Sequence, residues 1–547
     1  MAAQPIPQPK GAPIVGNSLS VDRYAPIASL NEYARKLGPI FQLDLMGAKV
    51  VFVAGAKLAS ELWDETRFDK AVRGPLARVR TIGGDGLFTA KTSEPNWAGA
   101  HNIMLSPFGG RAMQSYHPAM VDIAEQLVKK WERLNPDEEI DVVHDMTALT
   151  LDTIGLCGFD YRFNLFYRLD YHPFVEALVR SLETVMLHRG PPLENLALHA
   201  RRRTMNQDLE FMNGVVDALV QERRRAAEAA KKDLLNAMLT GIDKQTGAQL
   251  DDLNIRYQIN TFLIAGHETT SGLLSYSIYA LLKNPDVLAK ARAEVDRVFG
   301  GDFSVTPSYA QVTQLYYINQ ILKESLPLWP PAPAVGLYPY KDETIGGYAI
   351  PRGMTINMLI GPLRRDPEVW GPRADVFDPE NFSTDAEAKR PSYAFKPFGN
   401  GQRACIGRGF AMHEAALALG LILQRFDLID VHRYQLKQNE TLTIKPEGFR
   451  IKAKPRTERP SGVAPTADAR ATAPAPAAVA RPNHNTPLLV FYGSNLGTAE
   501  EYASARRDGG DQRLRHHAGS ARRPCRTAAQ AGRPRHRLRL LQRRAAG

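Results

Sequence analysis

A cysteine in a glycine-rich loop carries the strongest chemical signal in this sequence. Cys405 lies in FGNGQRACIG (398–407). Glycines at 401 and 407 permit a tight turn and a close approach of the backbone to a flat ligand. A thiolate needs N–H donors and nearby positive charge to stay ionised, and this loop, with Arg403, offers both. The alternative is a free core cysteine, which is the usual fate of a lone Cys.

An acid followed by two threonines stands in the middle of a long helical pattern. Residues 250–283 predict one helix of about 34 residues, roughly 50 Å long at 1.5 Å per residue, with AGHETT (265–270) at its centre. Because glycine costs about 1 kcal/mol in a helix interior, we expect a local opening of the hydrogen-bond ladder here. The acid and hydroxyl of Glu268 and Thr269 could relay protons to a bound ligand. The alternative is a solvent-facing Glu and a Thr bonded to its own helix.

Three aromatic residues are weaker candidates. Trp97 and His101 lie one helical turn apart in NWAGAHNI and could face the same ligand. The alternative is a core Trp beside a surface His. Phe88, in GDGLFTA, would by itself be assigned to the core.

The elements that must position these residues are mainly helical. Helical periodicity runs through 119–134 and 206–225, and the pattern that begins at Phe410 predicts a helix whose N-terminal dipole lies near the Cys405 sulfur. Residues 441–453 alternate as strands do. The sequence therefore predicts a mainly α fold with a small β-rich region, continuous over 1–455.

Composition changes sharply after this unit. Residues 456–486 are an Ala/Pro-rich linker. Residues 487–503 pass from a buried-strand pattern into GSNLGTA, the pattern of a second domain's start. Residues 504–547 have no periodicity and resemble a reading-frame slip, with an evolved basic arm as the alternative.

Charge, cysteine count and hydropathy narrow the function classes. The 547 residues include 44% hydrophobic and 23% charged residues, which excludes a wholly disordered or collagen-like chain. The net charge of +11 resides in 504–547, which hold 13 Arg and two acids, so the body gives no reason to expect nucleic acid. Three cysteines cannot form a disulfide scaffold. Since no run of about 18 apolar residues and no signal peptide is found, we predict a cytoplasmic protein without a membrane partner.

The cysteine loop resembles the haem-binding pattern F-x-x-G-x-R-x-C-x-G of the cytochrome P-450 family without a mismatch. The resemblance implies the cytochrome P-450 fold, haem b as cofactor and Cys405 as axial thiolate ligand of the haem iron, with Phe398, Gly401 and Arg403 also binding the cofactor. Residues 265–270 are similar to the family's A-G-x-[DE]-T pattern, which implies that Glu268 and Thr269 deliver protons.

Further site residues follow only from the resemblance. It implies that Trp97 and His101 face a haem propionate and that Phe88 closes over the haem. The substrate-binding positions that it implies are Phe88, Ala48, Phe52, Ala265 and Ala332.

Within the family, residues 1–455 and 484–503 most resemble the self-sufficient bacterial fatty-acid hydroxylases, in which a haem domain is fused to a diflavin reductase. This implies NADPH-dependent, subterminal hydroxylation of medium- or long-chain fatty acids. Because the reductase-like sequence does not continue past 503, we expect FMN, FAD and NADPH to act only through a reductase in trans.

Two departures from the family pattern bear on function. The relatives anchor the fatty carboxylate with Arg and Tyr at positions matching Ala48 and Phe52, and the side chain of Lys49 should point to the opposite face of its strand. We therefore expect a weakened preference for carboxylates.

The second departure concerns Glu324, whose two expected arginine partners are replaced by Pro327 and Asn381. A buried carboxylate without its partner costs about 3–5 kcal/mol, and a helix-interior Pro about 3 more, against a total stability of about 5–15 kcal/mol. A degenerate haem-thiolate protein without turnover is therefore the leading rival to a monooxygenase. A haem-based sensor is a third hypothesis.

Overall fold

Helices dominate the computed structural model, which describes residues 4–168, 170–187, 199–226 and 231–456. The α-helices of these ranges, numbered in chain order, are α1 Pro26–Leu37, α2 Ala56–Leu62, α3 Pro75–Gly83, α4 Pro95–Met104, α5 Gly110–Glu132, α6 Val142–Phe159, α7 Pro173–Leu187, α8 His199–Arg225, α9 Leu234–Thr240, α10 Asp252–Lys283, α11 Pro285–Phe299, α12 Tyr309–Thr313, α13 Tyr316–Leu328, α14 Ile360–Arg364, α15 Pro367–Trp370, α16 Thr384–Lys389 and α17 Arg408–Arg425. Short 3-10 helices are Ser18–Ser20, Ser106–Phe108, Leu165–Tyr167, Pro379–Phe382 and Gly401–Arg403.

The strands form small sheets beside the helical body. In chain order they are β1 Ile40–Leu45, β2 Ala48–Val53, β3 Phe68–Lys70, β4 Ile140–Asp141, β5 Ala334–Pro339, β6 Glu343–Ile345, β7 Tyr348–Ile350, β8 Thr355–Leu359, β9 Phe426–Ile429, β10 Gln438–Glu440, β11 Ile444–Pro446 and β12 Arg450–Pro455. The largest sheet has the order β1-β2-β8-β5-β3, in which only the β2–β8 pair is parallel. The mainly α fold with a small β-rich region is thus confirmed.

The long helix α10 runs through the main hydrophobic core. The side chain of Asp251 accepts a hydrogen bond from the backbone N–H of Asn254 and caps its N-terminus. Buried residues occur on all sides of α10, as expected of a helix enclosed by others. It packs against α6, and the core continues through α5 and α17. The helices predicted at 119–134, 206–225 and 250–283 are therefore confirmed as parts of α5, α8 and α10, apart from two residues at the end of the first range and two at the start of the last.

The predicted opening of α10 at Gly266 is wrong, because the helix is unbroken from Asp252 to Lys283. A Cβ atom on Gly266 would lie 3.0 Å from Cγ1 of Ile154 in α6. The glycine therefore permits close packing of the two helices at this point.

The chain after Arg456 lies outside the described residues. The predicted linker (456–486), second-domain start (487–503) and Arg-rich tail (504–547) fall there, apart from Arg456 itself. Among the described helices, none has the length and apolar character needed to cross a membrane.

Candidate functional site

The cysteine loop is a tight turn that joins a 3-10 helix to α17. Cys405 lies three residues before the start of α17 at Arg408, and its N–H donates to the carbonyl oxygen of Phe398 at 2.7 Å. Gly399 and Gly401 have φ of +78° and +58°, values that side chains rarely allow. The loop therefore closes on itself and presents the cysteine at the N-terminus of α17, as predicted.

The Cys405 sulfur lies in a setting that suits a metal ligand. The side chain is exposed, although protein surrounds the residue closely enough for burial to raise the pKa of the thiol. The N–H of Gly407 and the positive charges of Lys70 and Arg408 act in the opposite direction and favour the thiolate. A metal cation would displace the remaining proton, since a thiol ligates as the thiolate. The alternative of a shielded core cysteine does not describe Cys405; it describes Cys157, which is buried in α6.

Two cations near the sulfur form no ion pair with a carboxylate among the described residues. Arg403 donates to the carbonyl oxygens of Ala90 and Leu87, while its Nη1 is buried and has no partner among the described residues. Lys70 donates to the carbonyl oxygen of Phe88 at 2.9 Å, and burial, followed by the charge of Arg403, lowers its pKa to about 7. Two such cations could pair with two carboxylates of a ligand, and the cysteine beside them could bind a metal ion at the centre of that ligand. Haem, with its iron and two propionates, meets this description.

Sequence reasoning missed Lys70. A single Lys at the end of a three-residue strand gives no signal, because lysines are usually solvated. Its closeness to Cys405 becomes visible only in the fold.

An aromatic stack adjoins Arg403. The Arg403 guanidinium carbon lies 4.6 Å from the ring centroid of Trp97, and Trp97 stacks on His101 with centroids 5.1 Å apart. Burial, followed by the charge of Arg403, lowers the pKa of His101, which favours a neutral imidazole. The structure thus brings Trp97 and His101 together with the cysteine loop. Their contact with a propionate stays a prediction.

A second loop holds the outer side of the cysteine loop. Glu65 accepts a hydrogen bond from the N–H of Gln402 at 2.8 Å, and Asn400 donates to the carbonyl oxygen of Trp63 at 3.0 Å. A Cβ atom on Gly401 would overlap the Glu65 carboxyl group at 1.7 Å. A glycine is therefore required at 401, both because its φ is positive and because a side chain would occupy the position of the Glu65 carboxylate.

We expect Gly401→Ala to lower the free energy of unfolding by about 2.5–5 kcal/mol. A non-glycine residue in the left-handed region costs about 1–2 kcal/mol, and loss of a hydrogen bond to a charged group about 1.5–3. Chemical denaturation of the haem-loaded chain measures this effect. The matched control is Gly214→Ala, in α8 with open space around the new methyl group, where alanine should stabilise by up to about 1 kcal/mol. Equal effects of the two substitutions on the free energy of unfolding would show that the cysteine loop does not require a glycine at 401.

Glu268 is buried and paired, so the solvent-facing alternative for this residue is wrong. Its Oε1 lies 3.2 Å from the Lys445 ammonium and 3.1 Å from Nε2 of His267. Its Oε2 accepts from the Thr443 hydroxyl at 2.6 Å. Burial alone would raise the pKa of Glu268, but Lys445, His267 and Thr443 together hold it well below its usual range. The carboxylate is therefore anionic and tied to the β10–β11 hairpin.

Thr269 faces a different environment. Its hydroxyl is partly buried and donates to the carbonyl oxygen of Ala265 at 2.9 Å. The alternative of a helix-bonded Thr describes this conformation. A hydroxyl bonded in this way still has lone pairs for a second donor, so it can pass a proton.

The predicted substrate residues fall into two groups. Phe88 adjoins the cysteine site, with the Lys70 ammonium 4.7 Å from its ring centroid, and Ala265 lies under Thr269. Phe52 is buried and stacks on Phe41 with centroids 5.2 Å apart, in a separate small core. Ala48 is exposed at the turn between β1 and β2, and Ala332 is exposed before β5. Among these residues only Phe88 is linked to the cysteine site by contacts of the described residues, through Lys70, whereas Ala265 is placed only by its bond with Thr269 in α10.

Glu324 has an arginine partner that sequence reasoning missed. Arg364 Nη2 lies 2.6 Å from Glu324 Oε1, and both side chains are fully buried. The same oxygen accepts from the Asp378 N–H at 2.9 Å and from Asn381 Nδ2 at 3.0 Å. Burial raises the pKa of Glu324, and Arg364 opposes that shift. The two motif arginines are absent, as the sequence indicated, but Glu324 is paired with a different base.

The loss of stability expected from a helix-interior proline is also too large for Pro327, because of its place in the helix. Pro327 lies in the last turn of α13, which ends at Leu328. A proline there removes one backbone hydrogen bond at a point where the helix stops, which is milder than a break in the interior. The reason for suspecting a degenerate protein is thereby removed.

An exposed cysteine just before a helix, two nearby cations that form no ion pair within the described residues, and a long helix with an acid–threonine pair together fit a haem-thiolate protein. The sequence profile of the family described as Cytochrome P450 matches residues 6–453. The chain therefore belongs to the cytochrome P450 family, the class of haem-thiolate monooxygenases.

Among curated relatives, the chain is 48% identical over 511 residues to a bifunctional cytochrome P450/NADPH–P450 reductase of Bacillus cereus, covering 91% of this chain and 47% of the relative. It is 49% identical over 503 residues to bifunctional cytochrome P450/NADPH–P450 reductase 2 of Bacillus subtilis, covering 92% and 47%. It is 41% identical over 510 residues to a self-sufficient cytochrome P450 monooxygenase of Phanerodontia chrysosporium, covering 91% and 48%. The chain thus spans about half the length of these relatives.

Proposed function

We propose that this chain inserts one oxygen atom of O2 into a C–H bond of a hydrophobic substrate, with medium- or long-chain fatty acids as the preferred class. Electrons come from NADPH through FAD and FMN of a reductase. The observation that carries the proposal is the Cys405 loop with Lys70 and Arg403, which bond backbone carbonyls and form no ion pair within the described ranges. The names of the Bacillus relatives, which couple a P450 to an NADPH–P450 reductase, support the electron source. The free thiols Cys157 and Cys405 suit a reducing, cytoplasmic compartment.

In this proposal the residues around Cys405 hold the cofactor. A haem bound through the Cys405 thiolate supplies the electron donation that favours O–O bond cleavage. Arg403 and Lys70 balance the propionate charges, while Trp97 keeps the Arg403 guanidinium in place by stacking. Phe88 and Ala265 line the space in which the substrate lies.

Two residues of α10, Glu268 and Thr269, are the groups that take part in proton delivery. Glu268 is held as an anion by Lys445, so it orients neighbouring groups and accepts protons readily only when that pair opens. The Thr269 hydroxyl, bonded to Ala265, is the group that can donate and accept at the same time.

Substrate head groups should be recognised weakly. The position occupied by Ala48 carries no charge, and Lys49 pairs in register with Asp44 across the β1–β2 hairpin. We therefore infer that the fatty carboxylate gains little binding energy at this hairpin.

The decisive experiment supplies the haem-loaded chain with NADPH, an added NADPH–P450 reductase and palmitate, and analyses the products by mass spectrometry. We expect hydroxylated palmitate, and hydroxylation of the corresponding fatty alcohol at a rate within about tenfold, since a surface ion pair is worth about 0–1 kcal/mol. The Cys405→Ser chain is the blank. A chain whose haem is reduced by the added reductase yet gives no oxygenated product would contradict the proposal.

A further inference from the structure

The arginine that pairs with Glu324 comes from an unexpected part of the chain. Arg364 is the last residue of α14, forty positions after Glu324 in sequence. Beyond its contact with Glu324, Arg364 donates through Nη1 to the carbonyl oxygen of Ala374 at 2.7 Å. Its position is therefore fixed from two sides, by a carboxylate and by a backbone carbonyl.

A second guanidinium lies against the same indole ring as Arg364. The guanidinium carbons of Arg364 and Arg390 each lie 4.2 Å from the ring centroid of Trp370. The Trp370 indole N–H donates to the carbonyl oxygen of Leu363 at 3.1 Å, which fixes the ring. Arg390 also donates to the backbone carbonyl of Asn381. The two cations are thus held on one aromatic residue, and both act on the segment around Asn381.

This cluster continues into the cysteine loop. The ring of Phe382, next to Asn381, packs edge-on against Phe395 with centroids 4.6 Å apart. Phe395 lies three residues before Phe398, whose carbonyl oxygen accepts the N–H of Cys405. Contacts joined by short stretches of backbone therefore lead from Arg364 through Glu324, Asn381 and Phe395 to the backbone that presents the sulfur.

We propose that Arg364 is the positioning residue that replaces the arginines absent at Pro327 and Asn381, and that through Glu324 and the 378–398 segment it holds the loop that presents Cys405. Arg390 is the second cation on Trp370, and it does not contact Glu324 but holds the backbone of Asn381. The chemistry favours this because a buried carboxylate needs a buried partner, and a planar guanidinium also stacks on an indole, which an ammonium does less well. The inference rests on the assignment of Cys405 as the iron ligand.

The test compares Arg364→Met with Arg373→Met in the haem-loaded full chain. Arg373 is a matched control, since it is an arginine of the same region but is 69% exposed in a loose pair with Asp378. For Arg364→Met we expect less than half of the parent's haem-to-protein ratio, a Tm lower by at least about 5 °C, and a reduced-CO spectrum that loses its thiolate-type band. Arg373→Met should resemble the parent in all three measurements.

Rescue distinguishes a specific partner from general damage. We expect Asn381→Arg to restore haem retention and the thiolate-type band in the Arg364→Met chain, because position 381 already contacts the same Glu324 oxygen. In the parent chain Asn381→Arg should change little, so the two substitutions should be strongly non-additive. If Arg364→Met behaves like Arg373→Met, or if Asn381→Arg fails to rescue it, the proposal is overturned.

A folding failure of Arg364→Met also has a decisive follow-up. The double variant Glu324→Gln with Arg364→Met carries no unpaired buried charge, so it should be recovered in higher yield than Arg364→Met and with a higher Tm. A double variant no better than the single one would contradict the pairing. Since haem ratio, Tm and spectrum are read without substrate or reductase, failure here is separable from failure of the proposed activity.

Discussion

We expect Cys405→Ser to abolish the thiolate-type reduced-CO spectrum and to reduce oxygenation to background. A serine hydroxyl fits the same loop but stays protonated, so it supplies neither the charge nor the electron donation of a thiolate. The backbone bond from residue 405 to Phe398 does not involve the side chain and should persist. The loss therefore arises from ligand chemistry, with the fold preserved.

The chain offers a matched control for this substitution. Cys157 is also free, but it is buried in α6 and its thiol points to the carbonyl oxygen of Tyr116 at 3.8 Å. Cys157→Ser should keep the thiolate-type band and the activity of the parent. Retention of that band in Cys405→Ser, or its loss in Cys157→Ser, would refute the assignment of the ligand.

Local sequence patterns were sufficient for the elements that carry the site. The apolar pattern predicted a helix over 250–283, and α10 begins at Asp252, two residues after the predicted start, with Asp251 as its N-cap. The spacing in the cysteine loop places Cys405 before α17, because glycines and a helix start are local features. In such cases neighbours in sequence are also neighbours in space.

Partners that come from distant parts of the chain could not be predicted in the same way. Lys70 and Arg364 reach the site only through the fold, and neither has a spacing that relates it to Cys405 or Glu324. The predicted helix opening at Gly266 was wrong for a related reason. The glycine is needed because Ile154, on another helix, packs closely against it. A missing motif residue therefore does not establish a missing interaction.

We expect Thr269→Ala to leave haem content unchanged and to divert electrons from product to hydrogen peroxide. Hydroxylation and peroxide release each consume O2, two electrons and two protons, and proton delivery decides between them. A positioned proton donor contributes roughly 10²–10⁴-fold to such a step. The ratio of product to peroxide should therefore fall by about 10²-fold or more, and the product formed per NADPH should fall with it.

The geometry of α10 makes this prediction specific to one hydroxyl. Glu268 is anionic and tied to Lys445, so it cannot take over as a donor while that pair holds. Thr269→Ser keeps the hydroxyl and should preserve most of the coupling. Thr270→Ala is the matched control, because successive residues of a helix point in directions about 100° apart and Thr270 is buried against the core. Equal coupling in Thr269→Ala and Thr270→Ala would exclude Thr269 from proton delivery and transfer that role to the Glu268–Lys445 pair.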